Sequence, residues 1–177
     1  MQLNCGVASI RTWRGGDENS LILHANDRDV SIELRDAFPY PYTRVDAENW
    51  IEYAATRTPS MSFAICLADQ PIGGVGLKPR EDIERCTAEI GYWIGRAYWG
   101  RGIATAVVRA FTCFAIPQYK LTRVCAVPFA ENAASARVLE KAGYQLEARM
   151  RRSAMKEGKV RDQLLYSFID KDLQERQ

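Results

Sequence analysis

The residue types best suited to chemistry are concentrated in a glycine-bearing stretch that reads Ile94-Gly95-Arg96-Ala97-Tyr98-Trp99-Gly100-Arg101-Gly102-Ile103-Ala104-Thr105. A strand is predicted before it and a long apolar helix after it, so backbone N–H groups and the positive end of a helix dipole converge on one point. Gly100 and Gly102 permit an anion to approach the backbone closely. The pattern favours a phosphate or pyrophosphate ligand, although a glycine turn that only joins a strand to a helix looks the same locally.

The stretch matches neither of two common phosphate motifs. It is not a Walker loop, because no Gly-Lys-Ser/Thr follows, and it is not a dinucleotide fingerprint, because Gly-x-Gly-x-x-Gly is absent. A second polar stretch, Asn132–Tyr144, lies one strand later. Its Asn132 and Ser135 are one helical turn apart and share a side of the helix start. Together the two stretches favour a ligand site over a simple turn.

The elements that must position these residues fall into two halves. The first half is predicted to contain a strand at Ala8–Trp13, a helix at Asp17–Ala25 with Asp17 as its N-cap, a helical piece at Asp29–Leu34, and a helix that begins with the capping box Thr43-Arg44-Val45-Asp46 and stops before Pro59. Three further strands follow at Met61–Leu67, Ile72–Lys78 and Thr87–Ile94. Their connections are too short for crossovers, which predicts an antiparallel meander.

The second half alternates helix and strand. It is predicted to hold a helix at Ile103–Ile116 ended by Pro117, a strand at Thr122–Val127, a helix at Asn132–Ala142 with Gly143 as its C-cap, a hairpin of Tyr144–Met155 and Val160–Ile169, and a frayed end at Asp170–Gln177. The whole pattern indicates a mixed α+β fold with one central sheet. A length of 177 residues predicts a single domain.

Composition excludes several classes of protein. A net charge of +2, from 24 basic and 22 acidic residues, argues against a dedicated nucleic-acid binder. His24 is the only histidine and no CxxC pair exists, so neither a zinc site nor a Ser-His-Asp triad is expected, and no metal is predicted. No signal peptide or membrane span is predicted, which favours the cytoplasm. We expect most of the cysteines to be small buried apolar groups; they are Cys5, Cys66, Cys86, Cys113 and Cys125.

Three segments in this order resemble the GNAT acetyltransferase superfamily, over roughly Met61–Ile169. They are Glu89–Ile94, Tyr98–Ala104 and Asn132–Tyr144. The superfamily's pyrophosphate loop reads Gln/Arg-x-x-Gly-x-Gly/Ala, and Trp99 departs from it at the first position. That departure, with the upstream segment Arg35-Asp36-Ala37-Phe38-Pro39-Tyr40-Pro41-Tyr42, is similar to the branch that acetylates the N-termini of ribosomal proteins.

The resemblance implies that acetyl-CoA is the cosubstrate and lies where the parallel strands Thr87–Ile94 and Thr122–Val127 splay apart. The implied contacts are the pantetheine amides with the backbone of Tyr92, Trp93 and Ile94, the pyrophosphate with Trp99, Gly100, Arg101, Gly102, Ile103, Ala104 and Thr105, and the pantetheine arm with Asn132. Arg137 and Lys141 would approach the nucleotide phosphates, unless they are only solvated surface charges.

The implied chemistry is direct attack of an amine on a thioester. Many members of the superfamily place a tyrosine where this chain has Leu139, and the ribosomal-type branch is similar in using a serine, here Ser135, to protonate the leaving thiolate. Glu89 is the first candidate for the base, with Asp162 and Glu33 as alternatives. Cys125 is not favoured as an acyl carrier, because nothing nearby in the sequence would lower its pKa.

The implied acceptor is an amine, on a peptide N-terminus or a small molecule. Arg35, Tyr40, Tyr42 and Trp50 would shape its pocket, with His24 nearby, although Trp50 also lies on the apolar face of a predicted helix. No nucleic acid or membrane partner is expected, and a homodimer stays open. Two other functions also stay open: a catalytically silent acyl-CoA sensor, and a nucleotide-phosphate binder unrelated to CoA.

Overall fold

A computed structural model describes residues 2–170 of the chain. Its strands are β1 Gln2–Asn4, β2 Ser9–Thr12, β3 Ser62–Leu67, β4 Gln70–Pro79, β5 Thr87–Ile94, β6 Arg123–Ala126, β7 Gln145–Lys156 and β8 Lys159–Ile169. Its α-helices are α1 Glu18–Ala25, α2 Arg28–Ser31, α3 Arg44–Thr56, α4 Ile103–Gln118 and α5 Ala133–Ala142. The strands are ordered β1-β2-β3-β4-β5-β6-β8-β7 in an eight-stranded sheet. The predicted fold class, mixed α+β with a mostly antiparallel sheet, is confirmed.

The described chain divides into two units, residues 2–76 with 92–107 and residues 77–91 with 108–170. In the first unit β1, β2, β3 and the start of β4 pair antiparallel in sequence order. The apolar faces of α1 and α3 pack into a buried cluster that includes Trp13, Leu21, Ala25, Tyr42, Ala47, Ile51, Ala54, Ala64 and Cys66. β1 is only three residues long and was not predicted from the sequence.

The predicted capping box at the start of α3 is confirmed. The Thr43 hydroxyl accepts a hydrogen bond from the backbone N–H of Asp46, and the Asp46 carboxylate accepts one from the N–H of Thr43. Two of the helix's otherwise unpaired N–H groups are satisfied in this way. The pKa of Asp46 is lowered chiefly by a 2.6 Å hydrogen bond that its carboxylate accepts from the Thr43 hydroxyl, and further by the bond from the Thr43 N–H.

Asp17 is the N-cap residue of α1, as predicted, although its side chain makes no capping hydrogen bond. The carboxylate instead accepts two hydrogen bonds of 2.8 Å from the buried guanidinium of Arg11. Arg11 also donates at 2.8 Å to Asp69, in the turn between β3 and β4. Leaving a buried guanidinium without a charge partner costs more free energy than losing a capping hydrogen bond, which is worth about 1 kcal/mol.

In the second unit β5 and β6 pair parallel, whereas β6 with β8 and β7 with β8 pair antiparallel. Gly143 ends α5 at φ +99°, as predicted for its C-cap. Helix α4 runs one residue past Pro117, so the prediction that Pro117 ends it is wrong. Proline removes only one N–H, and bonds from Tyr119 to the Ala115 carbonyl and from Leu121 to that of Ile116, both 2.9 Å, close the last turn around it.

The cysteines differ from expectation. Only Cys66 and Cys125 are buried, Cys113 is exposed, and the other two are half-buried. Within residues 2–170, no helix is both long and apolar enough to cross a membrane. In the same residues, no group of three or more His, Cys, Asp or Glu side chains is arranged to hold a metal ion.

Candidate active site

The first part of the candidate site, in the first unit, is the loop between β5 and α4. After β5 the chain makes a single 3-10 turn, Arg96–Tyr98, and then passes Gly100 at φ +74° and Gly102 at φ +76° before α4 begins. A Cβ added at either glycine would meet no atom within 4 Å, so backbone conformation and not crowding requires glycine there. The first N–H groups of a helix have no intrahelical acceptor. A loop of this conformation before a helix start is of the kind that can present N–H donors to an anion.

Residues of the same unit contact the segment that leads from β5 into this loop. The Trp99 indole N–H donates to the Ile94 carbonyl at 2.6 Å. The Arg96 guanidinium lies 2.8 Å from Asp27 and 3.4 Å from Asp29, at the start of α2. Arg101 lies over the Tyr98 ring at 5.4 Å. The pairing of Arg96 with Asp27 was not predicted, because the two residues are 69 positions apart in the sequence and leave no local signal.

His24, in the last turn of α1, packs against the same segment. A Cβ added at Gly95 would lie 2.8 Å from the ring nitrogen Nδ1, and the His24 ring meets the Tyr98 ring edge-on at a centroid distance of 5.3 Å. Gly95 is thus required by the closeness of the imidazole. Burial lowers the pKa of His24 below 6.5, which favours the neutral ring.

The end of β5 lies tightly against β4. A Cβ at Gly73 would come within 2.2 Å of the Trp93 carbonyl oxygen, and one at Gly74 within 2.9 Å of the Trp93 indole nitrogen. The paired glycines therefore let β5 and the Trp93 ring approach the bare backbone of β4. Phe38 meets the Trp93 ring edge-on at 5.3 Å, so the segment before α3 packs on the strand proposed to bind the pantetheine.

The second part of the candidate site, in the second unit, begins with the β5–β6 ladder. Thr87–Glu89 pairs with Arg123–Cys125, and among the described residues of this unit the parallel ladder comprises only these three pairs. β5 nevertheless continues to Ile94. The part of β5 beyond Glu89 thus extends past this ladder.

The second polar stretch begins in segment 128–135, which follows β6 and includes the start of α5. The Asn132 side-chain oxygen accepts a hydrogen bond of 2.9 Å from the backbone N–H of Ser135 and so caps α5. Ser135 is half-buried in the first turn of that helix. Leu139 is fully buried in the core, at 0 % exposure.

The candidate bases occupy different environments. Glu89 is half-buried on β5 opposite Cys125, whose thiol has a raised pKa because of burial and, secondarily, the charge of Glu89. Asp162 accepts 2.8 Å bonds from the Arg152 backbone N–H and the Arg149 guanidinium. These bonds lower the pKa of Asp162 and weaken it as a base. Glu33 is half-buried just after α2.

The residues expected at the acceptor pocket lie in dissimilar places. Tyr42 is part of the buried cluster, and burial raises its pKa to about 12. Trp50 is half-buried, packs on that cluster and contacts the Tyr53 ring at 5.7 Å. Tyr40 and Arg35 are exposed. On α5, Arg137 and Lys141 are exposed, and the Lys141 carbonyl accepts a bond from Arg109.

Residues 9–145 match the family model described as "Acetyltransferase (GNAT) domain". The chain therefore belongs to the GNAT acetyltransferase family, which confirms the predicted family. Among individual proteins it is similar to "Probable N-acetyltransferase YjcK" of Bacillus subtilis, with 36% identity over 86 residues, 49% of this chain and 48% of that protein. The chain's matches span 48% to 62% of the length of its curated relatives.

Solved structures share the fold at lower identity. Mycobacterium smegmatis RimJ in complex with CoA-disulfide superposes with a TM-score of 0.83 and 23% identity, covering 98% of this chain and 88% of that one. The ribosomal-protein-S5-alanine acetyltransferase of Vibrio fischeri superposes with a TM-score of 0.80 and 18% identity, covering 97% and 98%. At these identities the similarity establishes the fold.

Proposed function

We propose that the protein is an acetyl-CoA-dependent N-acetyltransferase that moves the acetyl group to a primary amine, on a protein N-terminus or a small molecule. The observation that carries the proposal is the loop before α4, where two glycines at positive φ precede a helix start, and the first N–H groups of a helix have no intrahelical acceptor. Such a loop is suited to a pyrophosphate, and its place in the chain matches the family motif.

The residues present fit acetyl-CoA. The loop would hold the pyrophosphate through the N–H groups of Gly100–Thr105, and the open space at both glycines leaves the backbone accessible. The backbone of Tyr92–Ile94 would pair with the pantetheine amides in the manner of an added strand. The Asn132 amide N–H₂ remains able to donate to the pantetheine arm, since its capping bond uses the oxygen. Arg137 and Lys141 would add positive charge near the nucleotide.

In the proposed reaction Glu89 and Ser135 transfer different protons, one from the attacking amine and one to the leaving thiolate. An alkyl ammonium has a pKa near ~10, so Glu89, directly or through water, removes a proton to give a nucleophilic amine. The bound thioester supplies the activated acetyl group: a C–N bond forms at its carbonyl carbon and the C–S bond breaks. Ser135 donates its hydroxyl proton to the departing thiolate and regains a proton from the acylated nitrogen, so that an amide and a free thiol are the products. Asp162 is a weaker candidate for the base, because its two hydrogen bonds stabilise its ionised form.

A protein N-terminus is the acceptor that we favour. The support is the Arg35–Tyr42 segment, which is similar to that of the ribosomal-type branch, and the fold shared with RimJ and the S5-alanine acetyltransferase. Packing of Phe38 on Trp93 joins this segment to the proposed cosubstrate strand.

The activity is tested by release of free thiol from acetyl-CoA in the presence of peptides with free N-termini, polyamines and aminoglycosides. We expect release that depends on at least one acceptor. Titration calorimetry with acetyl-CoA and with ATP accompanies it, and preference for ATP would contradict a CoA site.

Burial of Leu139, where many relatives carry a tyrosine, favours one competing function, a catalytically silent acyl-CoA sensor. Tight acetyl-CoA binding without thiol release from any acceptor would support that function instead.

A further inference from the structure

The β7–β8 hairpin concentrates positive charge in a protein that has little. Residues 148–161, which we call the basic hairpin, hold six basic residues, Arg149, Arg151, Arg152, Lys156, Lys159 and Arg161, against one acidic residue, Glu157, for a net charge of +5. The whole chain carries +2, so its other residues sum to −3. The positive charge is therefore local to this element.

Three of the six basic side chains are buried or form ion pairs within the protein. Arg149 pairs with Asp162 at 2.8 Å, Arg161 pairs with Glu131 at 3.3 Å, and Lys156 is buried. Arg151, Arg152 and Lys159 are exposed. These three positive side chains thus face water, where a partner's carboxylates could reach them.

The hairpin is irregular at the residues that carry the exposed arginines. The register of β7 against β8 shifts between Met150 and Ala154, and Arg152 in that bulge has φ +53°. The bulge is fixed by Asp162, which accepts the Arg152 backbone N–H at 2.8 Å, and by Ser153, whose hydroxyl donates to the Met150 carbonyl at 3.0 Å. Bulges of this kind commonly redirect side chains near functional sites.

The base of the hairpin is joined to the segment that carries Asn132 and Ser135. Gln163 pairs with Phe129, the Leu164 N–H donates to the Pro128 carbonyl at 2.9 Å, and the Arg161 guanidinium lies 3.8 Å from the centre of the Phe129 ring. The charged element is thus anchored on Pro128 and Phe129, in the segment that leads into α5 and the proposed proton donor.

Resting on the proposed function, we infer that the basic hairpin docks the acidic polypeptide segment of an acceptor whose free amine is acetylated. From Arg149 to Lys156 an extended strand spans roughly 20 Å, which matches several residues of extended peptide and exceeds a single carboxylate. A long polyanion such as RNA fits less well, because the remaining surface is net negative and would repel it.

The experiment compares two synthetic peptides of equal length that share their first residues and a free N-terminus. One continues in Asp and Glu, the other in Asn and Gln, and both carry a fluorophore at the C-terminus. We expect fluorescence anisotropy to give about tenfold tighter binding of the acidic peptide at low salt, with the preference lost at high salt. Equal affinity of the two peptides would overturn the inference.

Charge reversal locates the surface. Arg151→Glu/Lys159→Glu should abolish the preference, and Arg151→Gln/Lys159→Gln should reduce it about threefold. The matched control Lys78→Glu/Arg85→Glu makes the same change in charge at exposed residues elsewhere and should keep the preference. An equal loss in the control would overturn the inference. Thermal unfolding verifies that each variant is folded.

Two further measurements separate the alternatives. Single-stranded poly(U) that binds the wild type more tightly than the acidic peptide, and loses affinity in Arg151→Glu/Lys159→Glu, would replace the inference by a nucleic-acid surface. Thiol release is measured separately: absent release with intact acidic preference contradicts the proposed activity alone, whereas release without acidic preference contradicts the docking surface alone.

Discussion

The two helices that follow the candidate ligand segments begin in opposite ways. Helix α5 is capped from within, because the Asn132 side chain accepts the N–H of Ser135 at 2.9 Å. Helix α4 begins after Gly102, a residue with no side chain to act as a cap, and is preceded by a second left-handed glycine at Gly100. Free N–H groups at a helix start must bind something, and water is the default partner. The difference is that no side chain of Gly102 can cap α4, whereas α5 is capped by the Asn132 side chain at the N–H of Ser135; we propose that the start of α4 serves a ligand instead.

The largest expected effect tests the role given to α5. Ser135→Ala removes the proposed proton donor but keeps the backbone N–H that Asn132 caps, so the helix start should persist. We expect kcat to fall about 100-fold with little change in the acetyl-CoA Kd. Steady-state kinetics and calorimetry measure the two quantities. The control is Ser20→Ala in α1; an unchanged kcat in Ser135→Ala would remove the role.

The next effect tests the open start of α4. Gly102→Ala places a Cβ on a backbone at φ +76°, which costs an L-residue about 1–2 kcal/mol. As the loop relaxes away from this conformation, the acetyl-CoA Kd should rise about tenfold, as measured by calorimetry. Gly6→Ala is a matched control, because Gly6 has φ +80° and equally open surroundings. If both variants lose the same stability and both keep their Kd, the loop is only a turn.

A smaller effect separates capping from binding at Asn132. Asn132→Ala should lose about 1 kcal/mol of stability, or roughly 2–4 °C in Tm. Asn132→Asp keeps a capping oxygen but loses the amide donor, so it should retain the Tm and still bind acetyl-CoA more weakly. Differential scanning calorimetry and ligand titration measure these changes. Equal acetyl-CoA affinity in Asn132→Asp and the wild type would leave Asn132 with only its capping role.

The smallest effect concerns the entry to the α4 loop. Burial lowers the pKa of His24, so the folded state binds that proton less readily than the unfolded chain. The stability that this group contributes is therefore present above about pH 6.5 and is lost as the pH falls below it. We expect the Tm to drop less between about pH 7.5 and pH 5.5 in His24→Gln than in the wild type. Identical pH profiles would contradict the prediction.

Local signals predicted much of the fold correctly. The box at Thr43 and Asp46, the glycine at Gly143 and the limits of β5 depend on residues a few positions apart, and the structure confirms each of them. The glycines of the α4 loop also showed in the sequence, because only glycine readily adopts positive φ at two positions so close together.

Predictions failed or were incomplete where a distant partner changed the outcome. Asp17 has the right residue type and position for an N-cap, but Arg11 and the turn at Asp69 determine what its carboxylate binds. Pro117 breaks helices in general, yet here it lies in the last turn, where few bonds remain to be lost. β1 exists through pairing with β2, and three residues are too few to give a periodic pattern.

The sequence by itself determined the family, the mixed fold class, the order of elements, and the two segments expected to carry the chemistry. These follow from periodicity, caps and glycine conformations, whose energies depend on neighbouring residues. Only the tertiary structure decided that Asp27 holds Arg96, that His24 packs on Gly95, and that the basic hairpin joins the segment before Ser135. Such interactions link residues far apart in the chain, so they form only when folding brings the partners together.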